Sequence, residues 1–275
     1  MNRAAAALAF ATALLTGNAV MTNGRSVAIP LHHTAAVAPL RVLLVTGGGW
    51  HDYDAQKTIL ADGIRARVDA EITIDHEAGD DSAARITRHR DAAWAEAFDL
   101  VVYNICFSGV RDLEWTESIV RAHVAHQVPA VVIHCSVHSY NYERDSPIWS
   151  MFIGVESHRH QRQVPFTVEA LEPQHPIMQA VTMPWRTPQG ELYEIVDVHP
   201  TATPLAHAFG EGSGENQVTI WTNRFAGVRV FGTTIGHHNE TMQTDTYLDL
   251  IAAGVLWAAN RLDETGRPAA GSEAP

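Results

Sequence analysis

A chain of 275 residues with 46% hydrophobic and 18% charged residues is long and apolar enough to bury one sizeable globular core. Its formal net charge of −12 excludes a nucleic-acid partner, because phosphate recognition needs clustered Lys and Arg and no basic run occurs. Histidine is abundant, at 16 residues; it is a frequent metal ligand and the side chain that titrates nearest neutral pH.

In chain order, Arg3 precedes a charge-free apolar stretch over residues 4–15, followed by Gly17-Asn18-Ala19. That is the pattern of a secretory signal peptide, and it is too short to span a bilayer. It predicts a periplasmic or secreted protein with a cleaved leader; the alternatives are a disordered extension, or translation from Met21 and a cytoplasmic protein, and in each case residues 1–38, a signal peptide or disordered leader, lie outside the fold. No other segment is a membrane candidate. Residues 41–46 (RVLLVT) form a continuous apolar run closed by Gly47-Gly48-Gly49, which reads as a buried parallel strand. A helix is expected over 55–67, with Ile59, Leu60, Ile64 and Val68 on one stripe. Residues 71–75, 100–104 and 129–134 read as further strands. Asp112 is placed to N-cap a helix running to His126. In the second half, 165–171, 217–222 and 229–234 read as strands, and 244–260 as a last helix with Leu248, Ile251, Val255 and Ala258 facing inward. Strand–helix–strand alternation predicts a doubly wound, mostly parallel α/β domain over 39–263, with helices on both faces. Residues 264–275, rich in Gly, Pro and Ala, are expected as a disordered tail.

Ligands in such sheets bind outside the carboxyl ends of the strands, where strand order reverses. The residues that follow predicted strands are therefore the candidates: Trp50 and His51; Cys106 and Ser108; His134, Cys135, Ser136 and His138; His237 and His238. Three of these four edges deliver histidine to one rim, so these histidines are expected to share a cleft. His134 and His237 are expected to meet across the sheet edge despite their separation in sequence.

The chemistry is less determined. The glycine run is not G-x-G-x-x-G, which argues against a nucleotide. Cys135 and Ser136 lack the small flanking residues of a nucleophile elbow, so covalent catalysis is disfavoured. The two cysteines cannot form a disulfide framework and read as free thiols. His134 and His138 are four apart, and His158 and His160 two apart, both usable spacings for a first-row metal. No H-E-x-x-H motif or cysteine pair accompanies them. Three readings thus stay open: a metal site, histidines bonded to loop backbone, and metal-free acid–base or sugar contacts. Glu191 and Tyr193, expected in a Pro- and Gly-rich loop, suit sugar-hydroxyl contact or proton transfer. Trp50, Trp149, Trp185 and Trp221 are candidates for stacking on a sugar ring, or for packing.

The ordered blocks RVLLVTGGGWHDY (41–53), VPAVVIHCSVHSY (128–140), FIGVESHRH (152–160), HPI (175–177), GELY (190–193), VTIWTNRFAGVRVFGTTIGHHNETM (218–242) and YLDLIAAGVLWA (247–258) resemble the trehalose-utilisation, ThuA-like family. The resemblance implies a flavodoxin-like sheet of the class I glutamine amidotransferase kind, without that superfamily's nucleophile. It also implies breakdown of a trehalose-like disaccharide or its 3-keto-glycoside. The family's recurrent polar positions fall on His51, His134, His158, Glu191, Tyr193 and His237. Two positions depart from its pattern, Gly190 and His238, where aspartate is frequent. The sequence thus predicts a carbohydrate-processing enzyme with His51, His134, Glu191 and His237 in catalysis. Trp50, His138, His158, Tyr193 and His238 would bind substrate. A divalent metal such as zinc, on His51, His134 and His237, is the candidate cofactor. A non-catalytic sugar-binding or accessory protein with the same cleft is the alternative. The expected partners are a small carbohydrate and, in a homo-oligomer, further copies of the chain.

Overall fold

The computed structural model describes residues 38–140 and 147–274. The leader reading falls on residues outside this range, save for Ala38. The apolar run at 41–46 forms β1 (Leu40–Gly48), buried along its length except at Arg41. The Asp52 carboxylate then accepts the Ala55 N–H and opens α1 (Tyr53–Arg65), which leads to β2 (Ala70–Glu77). β3 (Leu100–Cys106) is buried at every residue. As its sequence predicts, α2 (Leu113–His126) is capped by Asp112, whose carboxylate accepts the Trp115 N–H at 3.0 Å. The chain continues into β4 (Ala130–Ile133). These four strands lie parallel in the order β2-β1-β3-β4. Chain direction across the sheet reverses between β1 and β3, which opens a crevice at their carboxyl ends.

The second half departs from a purely parallel arrangement. It contains α3 (Ile148–Ile153), β5 (Val155–Gln163), β6 (Thr167–Ala170), α4 (Pro176–Gln179), β7 (Trp185–Arg186), β8 (Glu191–Val198), β9 (Ala202–Gly210), β10 (Glu215–Phe225), β11 (Val228–Thr233), α5 (Asn239–Met242) and α6 (Asp245–Ala258). β11 joins β4 in parallel and completes the doubly wound half. From β11 outward the order is β10-β9-β6-β7, all antiparallel, so the nine-stranded sheet is mixed. β5 and β8 form a separate antiparallel ribbon. Of the strands beyond β4, the sequence predicts β6, β10 and β11, whose cores are apolar. It does not predict β5 (VESHRHQRQ), which is mostly polar and carries no period-2 apolar signal.

Alternate residues of the parallel strands face two cores. Val42, Leu44, Val102 and Ile133 pack with Leu60 and Ile64 of α1 and Ile251 and Val255 of α6. Leu43, Val45, Tyr103 and Val132 pack with Ile119 and Val120 of α2 and Phe152 and Ile153 of α3. Residues 264–274, expected as a tail with no core to join, instead fold back. Val68 bridges Glu273, Leu262 bridges Pro268, and Ser272 is buried. Among the described residues, no helix is long and apolar enough to cross a membrane.

Candidate functional site

Four side chains converge outside the carboxyl ends of the strands: His51 after β1, His134 after β4, His237 after β11, and Glu191 at the start of β8. One donor atom from each lies within 4.8 Å of the others. The backbone is bent to deliver two of the rim residues. Trp50 and His134 adopt left-handed φ values of 71° and 49°, which cost a non-glycine residue energy and concentrate at functional sites. His134 opens a 3-10 turn (His134–Val137) directly on the end of β4.

Hydrogen bonds to carbonyls fix the tautomers, since a carbonyl only accepts. His134 donates its Nδ1–H to the Thr234 carbonyl at 2.7 Å, which leaves a lone pair on Nε2. That lone pair faces His237 Nδ1 at 3.2 Å and Glu191 Oε2 at 3.4 Å, while His237 Nδ1 lies 3.3 Å from the same carboxylate oxygen. The Nδ1–H of His51 faces the Gly49 carbonyl and the Tyr53 hydroxyl oxygen, each at 3.1 Å. Its Nε2 is buried without a partner. The His51 ring sits 4.9 Å from that of His134 and 4.6 Å from that of His237. A nitrogen from each of three imidazoles and a carboxylate oxygen therefore gather at one place.

Outer contacts hold these groups. Glu191 Oε1 accepts from Gln163 Nε2 at 3.0 Å and faces His160 Nδ1 at 3.2 Å. The His237 carbonyl accepts from Gln56, whose own carbonyl oxygen accepts from Asn104. Burial, together with the neighbouring His134 and His237, pushes the His51 imidazole far below its ordinary pKa. Burial also lowers His134, against the opposing pull of Glu191. Burial raises the Glu191 carboxyl, but hydrogen bonding and charge from His134 and His237 outweigh it and hold the group well below the usual range. Tyr193 stays a phenol, because burial and then the Glu191 charge raise it; its hydroxyl lies 3.4 Å from His134 Nε2.

His51, Glu191, Tyr193 and His237 line a cleft of about 350 Å³, the size of a small-molecule site, together with Trp50, Cys106, Ser108, Cys135, His138, His160 and Gln163, while His134 is buried and outside the lining. His138 stacks flat on Tyr193 with ring centroids 4.1 Å apart, and burial brings its pKa down to about 3. Wider grooves lie elsewhere, one of about 460 Å³ along α2, but the four donors converge at the strand ends.

Several expectations are corrected. Glu191 and Tyr193 belong to β8, not to a loop, because GELYEI pairs with β5. His158 pairs with Glu156 at 2.8 Å and does not line the cleft; irregular register in β5 turns His160 and Gln163 inward instead. His238 meets the His237 ring edge-on but is likewise absent from the cleft lining. Trp149, Trp185 and Trp221 are core residues, whereas Trp50 is 68% exposed at the cleft mouth. Ser136 is structural: its hydroxyl bonds the backbone of Tyr103 and Ile105. Cys106 and Cys135 are not free thiols. They end adjacent parallel segments with Cα atoms 5.0 Å apart and form a disulfide. The glycine at 190 has a packing reason, since a Cβ there would lie 2.3 Å from the Phe166 ring. Sequence reasoning missed Gln56 and Gln163, polar residues whose role depends on pairings distant in the chain.

The sequence pattern of the family described as ThuA, trehalose utilisation, matches residues 41–258. No curated protein matches. Among solved structures, a ThuA-like protein from Parabacteroides merdae ATCC 43184 superposes with a TM-score of 0.63 at 18% identity, covering 86% of this chain and 96% of its own. A ThuA-like protein from Bacteroides uniformis ATCC 8492 gives a TM-score of 0.61 at 13% identity, covering 88% and 99%. Part of a β-galactosidase from Rahnella sp. R3 gives a TM-score of 0.50 at 11% identity, covering 78% of this chain and 31% of that one. At such identities the structural likenesses show the fold alone. The match over residues 41–258 shows the family as well: the chain belongs to the trehalose-utilisation, or ThuA, family, which points to a role in sugar metabolism.

Proposed function

We propose that the chain is an enzyme acting on a small neutral sugar at a centre in which His51, His134, His237 and Glu191 hold one divalent cation such as zinc. The observation that carries this reading is the buried, partnerless Nε2 of His51, a residue that clusters with three other metal-capable donors. A single proton on His237 could bridge to Glu191 or His134, but it would leave the His51 lone pair unsatisfied. Spacing supports the same choice. Zinc bonds of about 2.0–2.2 Å separate tetrahedral donors by roughly 3.3–3.6 Å; the separations among His134, His237 and Glu191 are 3.2, 3.3 and 3.4 Å, and the His51 donor lies within 4.8 Å of them. The carbonyl contacts of His51 and His134 are the outer-shell bonds that fix a ligand's tautomer.

A neutral substrate is favoured by the cleft wall, whose lining residues include no Lys or Arg to clamp a phosphate or carboxylate beside the cation. Trp50 offers its exposed face to a pyranose ring at the mouth. The bound cation would supply Lewis-acid polarisation of a sugar carbonyl or hydroxyl. Tyr193, kept protonated, would donate a hydrogen bond to oxygen that gains negative charge beside His134. A keto-glycoside or a trehalose-like disaccharide fits this chemistry.

Elemental analysis of the purified native protein tests the centre, followed by turnover assays on trehalose and a 3-keto-glucoside. About one equivalent of divalent metal is expected in the wild type. His237→Ala should lose metal and turnover while its melting transition stays close to wild type. A metal-free wild type that is active and indifferent to added metal would overturn the centre. Sugar binding without turnover would convert the enzyme into a binding protein.

A further inference from the structure

The disulfide forms part of the cleft wall and adjoins the donor cluster: His51, Cys106 and Cys135 each place one ligand atom within 4.8 Å of the others. Three features make this more than a packing pair. The sulfurs stand at the carboxyl ends of neighbouring parallel segments, with Cα atoms 5.0 Å apart, a spacing from which two separate thiolates can chelate one ion. Both residues are nearly buried yet line the cleft, so a small dithiol can reach them from it. The third member is His51, whose Nε2 is buried without a partner.

We propose that Cys106, Cys135 and His51 form a second metal site, selective for a soft d¹⁰ cation such as cadmium, which exists only when the disulfide is reduced. In the opening step a dithiol reductant attacks the protein disulfide. The reductant is oxidised to its own cyclic disulfide, and Cys106 and Cys135 each receive one electron equivalent and one proton. The cation then binds both sulfurs as thiolates, releasing two protons to solvent, with His51 as third ligand and a fourth position open to the cleft. With Nδ1 of His51 committed to the Gly49 carbonyl, only Nε2 is free, so the His3Glu set and the thiolate set compete for one histidine. The redox state of the pair thereby decides which ion chemistry the cleft presents, soft thiolate or hard carboxylate. This inference goes beyond the sugar reading and does not require it.

The test uses the full chain, reduced anaerobically with dithiothreitol and desalted, then titrated with cadmium ion. The readouts are thiolate-to-cadmium charge-transfer absorption and protection of both cysteines from alkylation, seen by mass spectrometry. The reduced protein should bind one cadmium with the thiolate signature, and the oxidised protein should show none. Cys106→Ser should abolish the signal, and His51→Gln should weaken binding by about tenfold or more, as loss of a ligand or its support does. Glu191→Gln removes the carboxylate set alone and should leave the thiolate signal intact, so failure of the first centre is read separately. The proposal is overturned if reduced protein gives no thiolate signal, if the signal is unchanged in His51→Gln, or if Glu191→Gln abolishes it. Loss of the cooperative melt on reduction also overturns it, because the pair must open within the folded chain; Cys135→Ala, melted in parallel, checks that the fold survives without the bridge.

Discussion

Gln163 shows how a single uncharged side chain can set the strength of the centre. It donates to Glu191 Oε1 at 3.0 Å and leaves Oε2 to face the imidazoles. Replacing it with leucine keeps the volume but removes the donor. Outer-shell partners of this kind are worth roughly 10–100-fold in metal affinity, so Gln163→Leu should lower zinc affinity by that factor with little change in melting temperature. Competition titration with a zinc indicator measures it, and an unchanged affinity would show that Gln163 does not support Glu191. The residues of the site differ in how visible they are in the sequence. His51, His134 and His237 are legible because each follows an apolar run, and parallel strand ends share one rim. His160 and Gln163 are not, because β5 and β8 pair with register shifts that break strict alternation, and so His158 turns away.

At the scale of elements, the turn after β1 depends on a close backbone approach. Gly48 has φ 104°, and a Cβ there would lie 2.4 Å from the Cys106 carbonyl oxygen on β3. That contact lets the loop carrying Trp50 and His51 leave the sheet beside the disulfide. Gly48→Ala should therefore destabilise the protein by about 1–3 kcal/mol from backbone strain alone. At roughly 2–4 °C per kcal/mol for a domain of this size, thermal melts will resolve the change; an unaltered melt would show that the strand ends have slack. The doubly wound half was readable because its strands are buried on both faces and appear as continuous apolar runs. The β5–β8 ribbon was not readable, since β5 is largely polar and the ribbon is held by its own pairing and by a bond between β8 and β10 rather than by local pattern.

The whole molecule carries a pH dependence that the site does not explain. His89 and His123 are fully buried away from the cleft, and burial lowers them to about 3 and about 4. His123 is held neutral between the Tyr103 hydroxyl at 2.8 Å and the Val128 carbonyl at 2.6 Å. In the unfolded chain both titrate near 6.5. Below that value the unfolded state binds more protons than the folded state, so stability falls with pH, and it continues to fall until the folded values are reached. Urea melts of chelator-treated protein should give a lower midpoint at pH 5 than at pH 7; an equal or higher midpoint would mean these rings are solvated. Neither histidine was distinguishable in the sequence from those of the rim, because burial is a property of packing. By itself, the sequence determined the strand–helix alternation, the cap at Asp112, and which histidines follow strands. These are local matters of apolar periodicity and side-chain hydrogen bonding to the nearest backbone. The family resemblance in the sequence already grouped Glu191 with those histidines; tertiary structure alone decided that Cys106 meets Cys135 and that Gln163 rather than His158 supports the cluster. Each of these contacts joins residues distant in the chain, and their register is set by strand pairing that no local pattern encodes.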